Sequence, residues 1–334
     1  KTEHVNINVK NKRREDCNVT FKDNHFFGFN EYYCGARGNS ILTAYCNMLK
    51  FEGNLIEDFY YTGSIINSYA LHYNIIRNCR TTSVFDNCEY GELWGKSFIA
   101  EYNSVESSNA LCFVLQADKI CIKNNIIKCF AGIVAKNNLL DGTPCNSQVY
   151  IKNNKWDLTH YSEEESLPPL YWRYGINIES NYGEGGIVEL SNNDIKIKAL
   201  NLPKEIRQPI KVLNMPYISF INNRIDSDTE SPYKSNVTGI FECVASSSRT
   251  RPMKFKTIER ITLIGNEVLS ENPIRLLEIL NNTDFDNIDV ISLENHSNIS
   301  NKYMKSAIEK GNIKFLITDS GRDRIIKHNV KGVF

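Results

Sequence analysis

Apolar and polar residues alternate along this chain in short runs that end on asparagine. Ile120-Cys121-Ile122-Lys123-Asn124-Asn125 is the clearest run: apolar, any, apolar, any, a small polar slot, then Asn. Val149–Asn154, Val188–Asn193, Ile218–Asn223 and Ile261–Asn266 repeat it, and Val19–Asn24 and Leu49–Asn54 do so upstream. Weaker copies end at Asn78 and Asn103. Ile291-Ser292-Leu293-Glu294-Asn295 is a degenerate last copy, with His296 in the Asn slot.

The slots at 24, 54, 78, 103, 125, 154, 193, 223, 266 and 296 differ successively by 30, 24, 25, 22, 29, 39, 30, 43 and 30. A minimum of 22 with variable excess is the mark of one supersecondary unit with insertions in its loops. The unit is a period-2 strand that stops at a residue tolerant of left-handed backbone geometry. Apolar positions three and four apart, which a helical solenoid needs, are missing from these segments. The pattern therefore predicts an all-β, right-handed parallel β-helix, a solenoid of about ten turns in which the Asn side chains stack and bond one another. Each turn needs further strands. The third strand of a turn is expected at 63–69, 82–87, 110–116, 132–137, 174–180, 209–214, 238–244 and 273–280.

The repeat stops near residue 300, which divides the chain into a β-helix over 1–300 and a small C-terminal segment over 301–334. A short helix over 301–310 and strands at 313–318 and 324–330 are expected there, as a cap over the last turn or an oligomerisation element. Insertions are uneven. The longest carry Glu163, Glu164, Glu165, Trp172 and Arg173, then 229–237, then 246–257 with Arg249, Arg251, Lys254 and Lys256. Long loops on a regular scaffold are where binding is usually placed.

Charge removes one class of partner. The 39 basic and 39 acidic residues cancel, whereas a general nucleic-acid binder needs a positive footprint. No run of about eighteen apolar residues is present to span a membrane. The chain begins at Lys1 with polar residues, as a trimmed piece without a signal peptide would. Its ten cysteines lack CxxC spacing, and Cys112, Cys121 and Cys129 sit in or beside strand-like runs. Buried free thiols made in a reducing cytoplasm fit this better than a disulfide framework.

The chemistry on offer is acidic and aromatic. There is no Gly-rich phosphate loop, G-x-S-x-G or HExxH, and the six histidines have no metal-ligand spacing, so no cofactor or metal is implied. Carbohydrate suits such a surface, because sugar rings stack on aromatic faces and carboxylates cleave glycosidic bonds. Stacked turns about 4.8 Å apart supply a ruler. With Ile176, Ile178, Ile210 and Val212 inward, Glu179, Lys211 and Glu242 point outward on successive turns. Glu179 and Glu242 then lie roughly 9.6 Å apart at the backbone, within reach of the about 6.5–9.5 Å window of an inverting carboxylate pair. Lys211 between them would stabilise charge. The competing reading is that both acids are solvated strand residues. Asp86 is a third candidate acid, in a groove with Trp94, Glu101 and Lys136; the competing reading is an exposed acid at a capped turn. Trp172, Arg173 and Tyr174 form the best sugar-binding stretch, with two platforms and a cation for an acidic sugar. Alternatively, Trp172 folds into its own loop.

The Asn-ended repeat and the uneven loops resemble the right-handed β-helix of pectate-lyase-like proteins. Within that group they look most like the central body of a bacteriophage tailspike. The resemblance covers about residues 1 to 300 and is architectural, with no catalytic motif matched. It implies a homotrimeric virion tail protein, made in the host cytoplasm and acting at the bacterial surface. Its partner would be a capsule or O-antigen polysaccharide, which it binds and hydrolyses. Two alternatives stand beside a glycoside hydrolase: a polysaccharide lyase acting on a uronate through Lys211, Arg173 and Tyr174, and a fibre that binds without cleaving. The scaffold alone does not choose among them.

Overall fold

The computed structural model describes residues 7–10, 18–27, 42–45, 48–58, 64–67, 70–80, 83–86, 95–108, 111–115, 117–137, 146–159, 174–180, 185–197, 208–227, 239–245, 258–270, 275–281, 288–297, 313–318 and 326–327. Every regular element among the described residues is a β-strand. The chain divides into two compact units, 1–136 with 153–172, and 137–152 with 173–334.

In the first unit the strands come in threes. β1 (Ile7–Lys10), β2 (Asn18–Lys22) and β3 (His25–Phe27) are followed by β4 (Leu42–Tyr45), β5 (Met48–Glu52) and β6 (Leu55–Glu57). Next come β7 (Ser64–Asn67), β8 (Ala70–His72) and β9 (Ile75–Arg80), then β10 (Ser83–Asp86), β11 (Gly95–Glu101) and β12 (Ser104–Ser108). β13 (Leu111–Leu115), β14 (Ala117–Lys123) and β15 (Ile126–Lys128) follow. β16 (Ala131–Asn137) and β18 (Lys155–Leu158) complete the unit, while the intervening β17 (Asn146–Lys152) belongs to the second.

Each strand pairs with the strand three places on. The first sheet runs β1-β4-β7-β10-β13-β16, the second β2-β5-β8-β11-β14 and the third β3-β6-β9-β12-β15-β18. All the pairings are parallel, as in Phe98 level with Ile120 and Ile127 with Trp156. Three parallel sheets visited in rotation are the connectivity of a β-helix solenoid. Phe51, Phe98, Phe113, Ile122, Ile127 and Trp156 fill the interior, with Phe113 edge-on to both Phe98 and Trp156. Each such side chain contributes about 1.5–3 kcal/mol by leaving water.

The second unit repeats the plan. After β17 come β19 (Tyr174–Ser180), β20 (Gly185–Ser191) and β21 (Asp194–Ile197), then β22 (Gln208–Leu213), β23 (Tyr217–Ile221) and β24 (Arg224–Ser227). β25 (Gly239–Ala245), β26 (Arg260–Ile264) and β27 (Glu267–Ser270) precede β28 (Arg275–Asn281), β29 (Ile288–Leu293) and β30 (His296–Ser297). The sheets are β19-β22-β25-β28, β17-β20-β23-β26-β29 and β21-β24-β27-β30. β31 (Ile313–Thr318) extends the second of these in parallel, and β32 (Ile326–Lys327) adds an antiparallel edge. The expected third strands appear as β7, β10, β13, β16, β19, β22, β25 and β28. The helix expected over 301–310 lies outside the described residues.

The strand-ending Asn residues form ladders. In the first unit the main-chain N–H and Nδ2 of Asn24 both donate to Asn54 Oδ1, and the same pair of hydrogen bonds recurs from Asn54 to Asn74, Asn74 to Asn103, Asn103 to Asn125 and Asn125 to Asn154. In the second it runs Asn193, Asn223, Asn266, Asn295. Two slots differ from the sequence expectation. Asn74 takes the place assigned to Asn78, which lies in β9; the turn residue before Asn74 is Tyr73, not a small polar one. Asn295 takes the place assigned to His296, because β29 buries Ile288, Val290 and Ser292 and leaves Ile291 and Leu293 only half covered. An apolar pair on the outer face had shifted the apparent register by one residue, which turns every side chain to the other face.

Candidate functional site

The acids and the lysine proposed from sequence come together on the first sheet of the second unit. Asn177 is level with Lys211, and Lys211 with Glu242. Ile176, Ile178, Ile210, Val212, Phe241 and Cys243 are all buried around this row. Glu179 is level with Leu213, two residues beyond the row. Combining the strand spacing with the rise per residue puts its Cα roughly 12 Å from that of Glu242. This is longer than the spacing expected from sequence, which took Glu179 to be in the row itself. Asn177 closes part of the gap: its Nδ2 donates to Glu179 Oε1 at 2.9 Å. Glu242 is only 3% exposed and Asn177 equally so, whereas Lys211 and Glu179 are half-buried. Glu278 follows Glu242 in backbone register on β28.

The remaining candidates are dispersed. Tyr174 opens β19, level with Gln208. Asp86 ends β10, level with Val114, and Lys136 lies in β16 of the same sheet. Glu101 ends β11 on the second sheet, a different sheet from Asp86. Trp94, Trp172 and Arg173 lie outside the described residues, as do the loops that would flank them.

No protein-family model matches this chain, and no curated protein and no solved structure does either. Function has to be argued from the residues themselves.

Sequence reasoning did not assemble a second cluster, which the first unit builds on its second sheet. The residues just before each turn form one row across five strands: Lys22, Glu52, His72, Glu101 and Lys123. Lys22 and Lys50 pair with Glu52 at 3.3 and 2.5 Å, and Lys123 pairs with Glu101 at 3.1 Å. His72 Nδ1 lies 3.9 Å from Glu101. The Lys50 and Lys22 ammonium groups hold the Glu52 carboxyl below the usual carboxylate range. The bond to Glu101 raises the Lys123 ammonium. Burial pushes the His72 imidazole down, against the pull of Glu101. The signal was present in the repeats: Glu52 and Glu101 occupy equivalent positions two strands apart, with His72 between.

Beside that row, the turn position itself carries Asp23, Gly53, Tyr73, Tyr102, Asn124 and Asn153, all with positive φ. Tyr73 and Tyr102 are 58% and 50% exposed and stack with centroids 5.1 Å apart and planes within 4°.

Among the described residues the thiols are withdrawn from the surface. Cys79, Cys112, Cys121, Cys129 and Cys243 are free and buried, and burial raises Cys112 and Cys243 well above the ordinary thiol value. Among the described residues no group of three His, Cys, Asp or Glu could hold a metal ion, and no helix is long and apolar enough to cross a membrane.

Proposed function

We propose that this protein is a tailspike-type depolymerase: a β-helix that binds a bacterial capsule or O-antigen polysaccharide and hydrolyses it. The observation that carries the reading is the register of the second unit's first sheet, with Lys211 level with both Asn177 and Glu242 and with Glu179 tethered to Asn177. In this reading Glu242 is the general acid, since a carboxyl withdrawn from water is suited to protonating a leaving oxygen. Glu179, more exposed, activates water, and Lys211 offsets the charge that develops. With their Cα atoms roughly 12 Å apart, side chains leaning toward one another would bring the two carboxyls to the spacing of an inverting rather than a retaining pair. The right-handed course of the coil, its count of about ten turns, the capping role of 301–334 and the homotrimer belong to the same proposal.

One observation favours the binding-only fibre. Glu242 is almost wholly covered, and a covered carboxyl reaches substrate only if its surroundings open. Incubating the protein with a panel of capsular polysaccharides, while following polymer size and ultraviolet absorbance, separates the readings. Shortening without new absorbance is the expected result. Shortening with an unsaturated, absorbing product would replace hydrolysis by β-elimination. Binding with no shortening would leave a fibre.

A further inference from the structure

Tyr73 and Tyr102 sit where the fold disfavours them. The other occupants of that turn position in the first unit are Asp, Gly and Asn, the residue types that tolerate left-handed backbone geometry. A bulky aromatic there is strained, and strained residues that persist at a surface point to function. Two of them occupy neighbouring strands, parallel and exposed, which no core requirement explains.

The surroundings give the pair a ligand chemistry. One face of Tyr73 is covered by Tyr102. The turn residue on its other side in the stack is Gly53, which has no side chain. A Cβ at Gly53 would meet Asp23 first, with Oδ1 at 2.4 Å; the next two atoms are also Asp23's, the farther at 3.9 Å. The Asp23 carboxylate therefore reaches into the layer of Gly53. One strand spacing, about 4.8 Å, separates the Gly53 layer, which the Asp23 carboxylate reaches, from that of Tyr73, so a saturated ring lying outside Gly53 meets the Tyr73 face at about 3.5–4.0 Å with its edge toward the carboxylate. Ile75, 48% exposed, and Leu55 lie level with one another on one flank. Glu52 precedes Gly53 on the other.

We infer that the Gly53 notch is a monosaccharide-binding subsite. The C–H face of a pyranose stacks on Tyr73, and its hydroxyls donate to the Asp23 carboxylate. The carboxylate favours a neutral or amino sugar over a uronate. The choice of carbohydrate rests on the function proposed above, but this notch shares no residue with the Glu179–Lys211–Glu242 cluster, so the two stand or fall separately.

The test is saturation-transfer NMR on the full chain with the methyl glycosides of glucose, galactose, mannose and N-acetylglucosamine, each alone. At least one is expected to receive saturation, with its ring C–H protons strongest. Tyr73→Ala and Asp23→Ala should each weaken that glycoside at least tenfold, and Tyr73→Trp should retain it. Absence of binding by every glycoside, or a Tyr73→Ala variant that binds like the parent, overturns the subsite even if the polymer is still cleaved. A Tyr73→Ala variant whose mass by light scattering falls while glycoside binding persists also overturns it, and marks the stack as a contact between copies. Glycoside binding at Tyr73 without any cleavage of polymer would uphold the subsite and remove the hydrolase.

Discussion

Asn103 Oδ1 accepts two hydrogen bonds from Asn74, one from the main-chain N–H at 3.0 Å and one from Nδ2 at 2.9 Å. Both residues are buried. A buried donor left without its acceptor costs about 1–3 kcal/mol. Asn103→Ala orphans the Asn74 main-chain N–H and one of its Nδ2 hydrogens, the other still reaching Phe51 O, and removes the Nδ2 donor that reaches Asn125 while leaving the main-chain one. The expected loss is several-fold larger than for an exposed Asn such as Asn18, and urea unfolding midpoints of Asn103→Ala and Asn18→Ala compare the two. Equal midpoints would mean that the ladder does not hold the strands.

Acid should destabilise the first unit in two separate steps. The folded His72 imidazole titrates below its unfolded value of about 6.5 because burial disfavours its charge. The unfolded chain then binds the extra proton more readily, so stability falls as pH drops through about 6.5 and stops falling below the folded value. Glu101 and Glu52 oppose this shift and Lys50 adds to it. Glu52 and Glu57, held low by Lys50 and Arg77, act in a lower window: their contribution is present above about 4.3 and is lost as pH falls through their folded values. Thermal melts of His72→Gln should lose the upper step and keep the lower one.

If the second-unit cluster is catalytic, Glu242→Gln and Glu179→Gln should each lower kcat for polymer shortening by about 10²–10⁴, the range of a missing acid or base. Neither should shift the urea midpoint by the same proportion. Lys211→Met should cost less, because it holds charge without transferring a proton. Full activity in both glutamine variants would place the chemistry elsewhere, and Glu52 and Glu101 would be the next pair to replace.

Tyr73→Asn exchanges a disfavoured turn residue for one that suits positive φ. Relief of about 1–2 kcal/mol offsets the loss of a stack worth about 0.5–1.5 kcal/mol. Its melting temperature should therefore stay close to that of the parent. A fall of many degrees would show that the aromatic pair serves the fold.

Much of this architecture is written locally. A strand that ends on an Asn after a left-handed residue needs only its own six positions to be recognised, and the period-2 pattern fixes which side chains turn inward. That is why the parallel strands and nearly all the ladder positions follow from the sequence. The two slots that do not, at Asn74 and Asn295, fail where a neighbour breaks the local rule: Tyr73 in a small-residue slot, and Ser292 facing inward while Ile291 and Leu293 face out. Side-chain relations between strands were less legible. Glu179 belongs two residues past the row of Lys211 and Glu242, and no local pattern specifies how far one strand slides against the next. The row of Glu52, His72 and Glu101 and the stack of Tyr73 on Tyr102 are likewise products of stacking. The sequence by itself determined the repeating strand and its turn, because alternation and backbone tolerance are properties of a few consecutive residues. Only the tertiary structure decided which charged and aromatic side chains stand together, because that depends on register between segments some twenty to forty residues apart.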